Sequence, residues 1–135
     1  NPNLSRAELH DILREAFTAD VYVTSTNAIT LQGELYNVDG LGNRVAAMIF
    51  GPKKVIVVCG YNKICKDEEE AKKRICMIAA PINAERLHKD TPCRQIGECC
   101  NCNSEQRICD AYVALKRCHE AGRIHVILVK ESYGY

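Results

Sequence analysis

Residues 91–109 read TPCRQIGECCNCNSEQRIC and hold five of the chain's nine cysteines: Cys93, Cys99, Cys100, Cys102 and Cys109. Thiolates are soft ligands and strong nucleophiles, so this crowding points to metal binding or redox chemistry. Cys99 and Cys102 form a C-x2-C pair, the spacing that chelates one ion from a tight turn. A four-cysteine zinc site more often has two such pairs, and the usual cubane-cluster run has three closely spaced cysteines. The spacing suggests a metal and selects none. Three readings stay open: a metal or iron–sulfur site, a redox pair joining Cys99 or Cys100 to Cys102 or a neighbour, and an inert loop. His88, five residues before Cys93, could replace one thiol, but a lone histidine near a helix end reads first as solvated or capping. His119 and His125 have no partner at ligand spacing and read as a turn and a strand residue. Cys59 and Cys76 fall on apolar segments and read as small core hydrophobes. Cys65 and Cys118 read as exposed.

A second group lies in TSTNAITLQGELYNVDGLGNRVAAMIFGPKKVIVV, residues 24–58. A strand ends in small polar residues, Thr24 to Asn27. A second extended run ends at Asp39-Gly40, and Gly42-Asn43-Arg44 opens a helix. Glycines let backbone amides approach a ligand, and a helix N-terminus favours an anion. Loops beyond the carboxyl ends of strands are where α/β sheets usually bind ligands. Asn27, Asp39, Asn43, Arg44 and Lys53 are therefore candidate pocket residues. The competing reading is that Asn27 and Asp39 only hold turns together through local backbone hydrogen bonds.

The elements that must position these groups follow from periodicity. Ser5 and Glu8 form a capping box, and Leu9, Ile12, Leu13, Ala16 and Phe17 recur on one helical face. VYVTST and TLQGELYNVD read as extended, NRVAAMIFG as a short helix, and KKVIVVCG as a strand buried on both faces. KDEEEAKKRICMIAAPINAERL is helical, with acids in its first turns and Pro81 expected to kink or divide it. AYVALKR and RIHVILVKE read as strands forming a hairpin at the sheet edge, with Gly122 in the turn. Strands alternating with helices predict an α/β fold with a mixed, mainly parallel sheet flanked by helices. All 135 residues are expected to form one domain, with residues 91–110 a cysteine-rich loop within it.

The bulk properties exclude several classes. Net charge is +1, from 18 basic and 17 acidic residues, which gives no footprint for nucleic acid. No apolar run approaches a membrane span. Long apolar strands, an odd cysteine count and the absence of an export signal predict a reducing cytoplasm. No P-loop, dinucleotide fingerprint, paired-histidine zinc motif or serine–histidine–acid arrangement is present.

The run TNAIT…GELYNVDGLGNRVAAMIFGPKKVIVVCGYNKICKDEEEAKKRI, continued by AAPINAERL, TPC, CNCNSEQRIC and GRIHVILVKESYGY, resembles the LUD domain of the lactate-utilisation family. The resemblance covers about residues 19–135. It implies a fold similar to sugar-phosphate isomerases, deaminases and CoA transferases. A comparable strand end there usually carries an aspartate in a GAD-like turn. Asn27 stands in that place, and an amide cannot act as a general base; Asp39 is the candidate substitute. The family's C-x5-C-x2-C-x6-C pattern falls on Cys93, Cys99, Cys102 and Cys109, with Cys100 additional, and implies a zinc or iron–sulfur cofactor. Members usually carry a further N-terminal segment, so the chain reads as the C-terminal portion of a longer domain whose apolar surface a second copy could cover. The resemblance implies a part, accessory or catalytic, in oxidising L-lactate or a related organic acid. The expected partners are a small organic-acid ligand and redox partner subunits. The alternative is a metal- or redox-sensing module that docks on a partner and needs only the loop at 93–109.

Overall fold

The computed structural model describes residues 4–135. Helix α1 (Arg6–Glu15) starts at the expected capping box: Ser5 Oγ accepts from the Glu8 N–H (3.3 Å) and Glu8 Oε2 accepts from the Ser5 N–H (2.8 Å). Strand β1 (Val21–Thr24) leads into a hairpin of β2 (Ala28–Thr30) and β3 (Leu35–Asp39). Helix α2 (Asn43–Phe50) and strand β4 (Lys54–Gly60) follow, then the two-residue strand β5 (Ile64–Cys65). Helix α3 (Glu68–Arg74) passes through a π-helical turn, Ile75–Ala79, into α4 (Ala80–Arg86). Helix α5 (Pro92–Ile96) and strands β6 (Ala111–Leu115) and β7 (Ile124–Val129) complete the order.

The mixed α/β class holds, and the strands divide into two sheets. One is wholly parallel, in the order β1-β4-β7, and the other is mixed, in the order β5-β2-β3-β6. The expected terminal hairpin of β6 and β7 is therefore wrong. β6 pairs antiparallel with β3, while β7 pairs parallel with β4. Arg123, buried just before β7, supplies the physical reason. Its guanidinium donates to the carbonyls of Ala47 (3.2 Å), Met48 (2.8 Å) and Pro52 (3.0 Å), around the end of α2. Met48 and Ala47 lie in the last turn of α2, where the Ala47 carbonyl also accepts from the Gly51 N–H, and Pro52 lies just beyond; Arg123 bonding all three pins the start of β7 beside β4.

The hairpin is buried on both faces. Ile29 and Leu35 pack with Met48, Val55, Val57 and Cys59, beneath the parallel sheet and α2. Ala28 and Tyr36 pack on the other side with Cys65, Ala71 and Ile75 of the long helix. Cys59 is the core hydrophobe expected; Cys65, expected exposed, is buried as well. The far face of the parallel sheet is less covered than the sequence suggested. Val23 and Ile127 there are 64% and 50% exposed, and Ile56 and Val58 are half-buried. Nor is any residue of α1 buried, although its apolar face is the one predicted. Pro81 does not divide the helix, which is irregular just before it, at the π turn Ile75–Ala79. A proline ring clashes with the carbonyl four residues back, and the preceding π turn, in which the Ala80 N–H reaches Ile75 O, widens the helix at that point.

Candidate functional site

At the carboxyl ends of β1 and β4 lies a cavity of about 640 Å³. It is lined by Ser25, Thr26 and Asn27 from the β1–β2 turn, by Asp39 to Leu41, and by Asn43 and Arg44 at the start of α2. Lys63, Asn83, Arg86 and the terminal Gly134 and Tyr135 close it. Four of the five residues predicted for a pocket thus come together: Asn27, Asp39, Asn43 and Arg44. Lys53 does not line it and is exposed.

Arg44 ties the strand ends together. Its guanidinium donates to Asp39 Oδ1 (2.6 Å), Asn37 Oδ1 (2.6 Å), Asn27 Oδ1 (3.0 Å) and the Ser25 carbonyl (2.9 Å). Asp39 Oδ2 accepts from the Val45 N–H (3.0 Å). This second bond has a local cause. The N-cap of α2 is Gly42, held at φ 76°, where glycine is favoured but no side chain can cap. Asp39 supplies the missing cap from the preceding strand. Each of its oxygens thus holds one partner, and through them Asp39 ties the strand end to α2. Asn27 likewise accepts from the Val38 N–H (2.9 Å), eleven positions on, so both residues brace backbone from other elements while lining the cavity.

With Asp39 matched to Arg44, the remaining charge is positive. Lys63 is only 5% exposed, and its ammonium donates to Ser25 Oγ (3.0 Å) and the Thr26 carbonyl (3.1 Å). Arg74, buried behind it, donates to the carbonyls of Asn27 (2.6 Å) and Asn62 (3.0 Å). Arg86 at the rim bonds Asn83 Oδ1 (2.9 Å). Among the described residues no carboxylate lies within ion-pairing distance of Lys63, Arg74 or Arg86. Burial, and then the Arg74 guanidinium, hold the Lys63 ammonium below its ordinary range. The chain's end folds over this cluster: Asn62 Nδ2 donates to the Gly134 carbonyl (2.9 Å), its Oδ1 accepts from the Tyr133 N–H (3.1 Å), and Tyr135 Oη bonds Asn83 Oδ1 (2.9 Å). Gly60 permits that crossing, because a Cβ there would run into the Tyr133 nitrogen and the Glu131 carbonyl. Lys63, Arg74, Asn83, Arg86 and the terminal segment were not singled out from sequence. Lys63 follows a strand in CGYNKI, so the strand-end rule that found Asn27 could have found it too.

The cysteines are arranged differently from their spacing. Cys93 is buried in the first turn of α5, with Sγ 3.3 Å from Thr91 Oγ1. The Cys99 N–H donates to the Cys76 carbonyl (2.9 Å), which brings the loop onto the π turn. Cys76 is half-buried there and not a core residue. Burial and the adjacent Cys99 thiol raise the Cys76 thiol. Burial also raises Cys109, opposed by a hydrogen bond from Tyr112, with Cys99 and Cys102 nearby. Cys100 and Cys118 are exposed. Among the described residues no three histidine, cysteine or acidic side chains are grouped so as to hold a metal ion, so Cys93, Cys99, Cys102 and Cys109 as placed do not fit zinc or an iron–sulfur cluster. His88 sits exposed in a left-handed turn after α4, with φ 50°.

The cavity of this α/β fold lies beyond the carboxyl ends of its strands, the place where such sheets usually bind ligands. The sequence profile of the LUD domain matches residues 1–129, and the chain belongs to that family. No curated protein and no solved structure gives a significant match. Among the described residues no helix is long and apolar enough to cross a membrane.

Proposed function

We propose that the protein takes part in the oxidation of L-lactate or a related organic acid, by holding the acid's carboxylate in the strand-end pocket against Lys63 and Arg86. The observation that carries this reading is Lys63, a buried ammonium that lines a cavity, is flanked by Arg74 and Arg44, and has no carboxylate partner among the described residues. A buried cation without a counter-charge is costly, and an anionic ligand relieves that cost. Ser25 Oγ and Tyr135 Oη supply hydroxyls of the kind that orient a small polar acid. Asp39 is engaged by Arg44 and Val45, so the pocket's contribution is binding and orientation. Oxidising a hydroxy acid to an oxo acid releases two electrons, which on this reading leave through partner subunits.

Calorimetric titration with L-lactate, pyruvate and lactamide tests the reading. Lactamide matches lactate in size but lacks its charge. Binding of either acid with little or none of the amide supports a carboxylate site. Equal binding of the amide, or no binding of any of the three, removes the proposal.

A further inference from the structure

Beside the π turn is a second cavity, about 350 Å³, lined by Cys76, Cys99, Cys100 and the apolar faces of Ile75 and Tyr112. Two of these thiols are fixed relative to each other by more than proximity. The Cys99 N–H donates to the carbonyl of Cys76 itself at 2.9 Å. A direct backbone bond between two residues keeps their Cα atoms within the roughly 4.4–6.8 Å that a disulfide spans. The Cys99 thiol is also near enough to raise the Cys76 thiol. Both residues line the cavity, and both are only half-buried. The sequence had paired Cys99 with a neighbour in its own loop; the fold supplies a partner 23 positions earlier, on the helix.

We propose that Cys76 and Cys99 form a thiol–disulfide exchange pair that is oxidised by a small-molecule disulfide entering this cavity. Cys99, on the loop, loses its proton and attacks one sulfur of the disulfide RSSR. The S–S bond breaks, and one thiolate leaves and takes up a proton. Cys76 then attacks the Cys99 sulfur of the mixed disulfide and expels the second thiol. Two protein thiols become one disulfide, and RSSR becomes two RSH. The new bond closes a loop that joins the cysteine segment to the long helix.

The test uses the full chain, reduced, freed of reductant and exposed to oxidised glutathione. After acid quenching and alkylation of the remaining thiols, non-reducing tryptic mapping separates the two cysteines onto peptides 75–86 and 95–107. Fragmentation then assigns the sulfur within the second peptide. A Cys76–Cys99 cross-link should be the dominant protein disulfide, with two glutathione thiols released for each. Cys76→Ser should stop at a glutathione adduct on Cys99, while Cys102→Ser should still form the cross-link. A wild-type map showing Cys99 joined to Cys102 or Cys109, or no cross-link at all, overturns the proposal. So does equal glutathione adduct on Cys99 in wild type and Cys76→Ser. The wild-type map decides the matter even if a variant folds poorly.

Discussion

Replacing Lys63 with methionine separates a binding role from a structural one. The substitution keeps the long apolar stem and removes the ammonium. On the ligand side it deletes a charge-assisted hydrogen bond, a contact worth about 1.5–3 kcal/mol, which corresponds to roughly 10- to 100-fold in Kd. On the stability side two effects oppose. The bonds to Ser25 Oγ at 3.0 Å and the Thr26 carbonyl at 3.1 Å are lost. At the same time a buried cation with no carboxylate partner among the described residues, lying near Arg74, is no longer held out of water. Burying an unpaired charge costs several kcal/mol, so the net change in unfolding free energy should stay within about 1 kcal/mol. Titration with L-lactate and pyruvate, beside a urea melt, reads both quantities. A Kd unchanged while stability drops by more than about 3 kcal/mol would show that Lys63 serves the fold and not a ligand. The pH dependence follows the same logic. Because the folded Lys63 lies below its ordinary 10.5, the unfolded chain binds the extra proton between the two values, so stability rises with pH across that window. A bound carboxylate favours the charged ammonium, so affinity for the acid should fall as pH rises through the lowered value. In Lys63→Met that fall should vanish.

Asp39→Asn breaks a 2.6 Å ion pair with Arg44 and weakens the cap on Val45; the expected loss is about 2–4 kcal/mol by chemical denaturation, and a loss under about 0.5 would contradict its organising role. Glu68 is held down to about 2 by Lys116, Lys72 and the Tyr36 hydroxyl. Its contribution is therefore complete above its ordinary 4.5 and lost as pH falls toward about 2, and Glu68→Gln should flatten the acid limb of a melting-temperature profile. Gly42→Ala meets only Ala111 Cβ at 3.8 Å, so the cost comes from φ 76° alone: about 1–2 kcal/mol in a urea melt, with no loss counting against the left-handed N-cap.

What the sequence disclosed was local. The Ser5–Glu8 capping box is written in four residues, and the helix starts there. The turn at Asn27 and the Asp39–Arg44 segment carry their own spacing, so their meeting at one strand end was legible. Lys53 lies within the run read as one unit and Lys63 lies beyond it; the fold leaves Lys53 exposed, while β4 carries Lys63 back to the pocket. The terminal strands show a different failure. β6 and β7 are adjacent in sequence with a glycine between them, the usual mark of a hairpin. Their actual partners depend on the open edges of β3 and β4 and on Arg123 reaching the end of α2, contacts across 69 positions or more that no local pattern encodes. Cys76 was hidden for a related reason. Its neighbours on the helix are apolar, and only the return of the loop through the Cys99–Cys76 backbone bond reveals what it faces.

The pocket and the thiol pair share one structural member without sharing a residue. Cys76 sits on the π turn, and Asn83 and Arg86 reach the strand-end cavity from α4, which continues that turn. At the loop's other end Ile108 lines the same cavity, next to Cys109. A π turn is a place where a helix departs from regular packing, and such turns recur at functional sites. The two readings can nevertheless fail separately. In reduced protein, Cys76→Ser should leave carboxylate affinity unchanged, because neither sulfur touches the pocket, and Lys63→Met should leave the disulfide map unchanged. If Cys76→Ser alone weakens acid binding in the reduced state, the long helix transmits packing from one cavity to the other, and the two sites cannot be treated as independent.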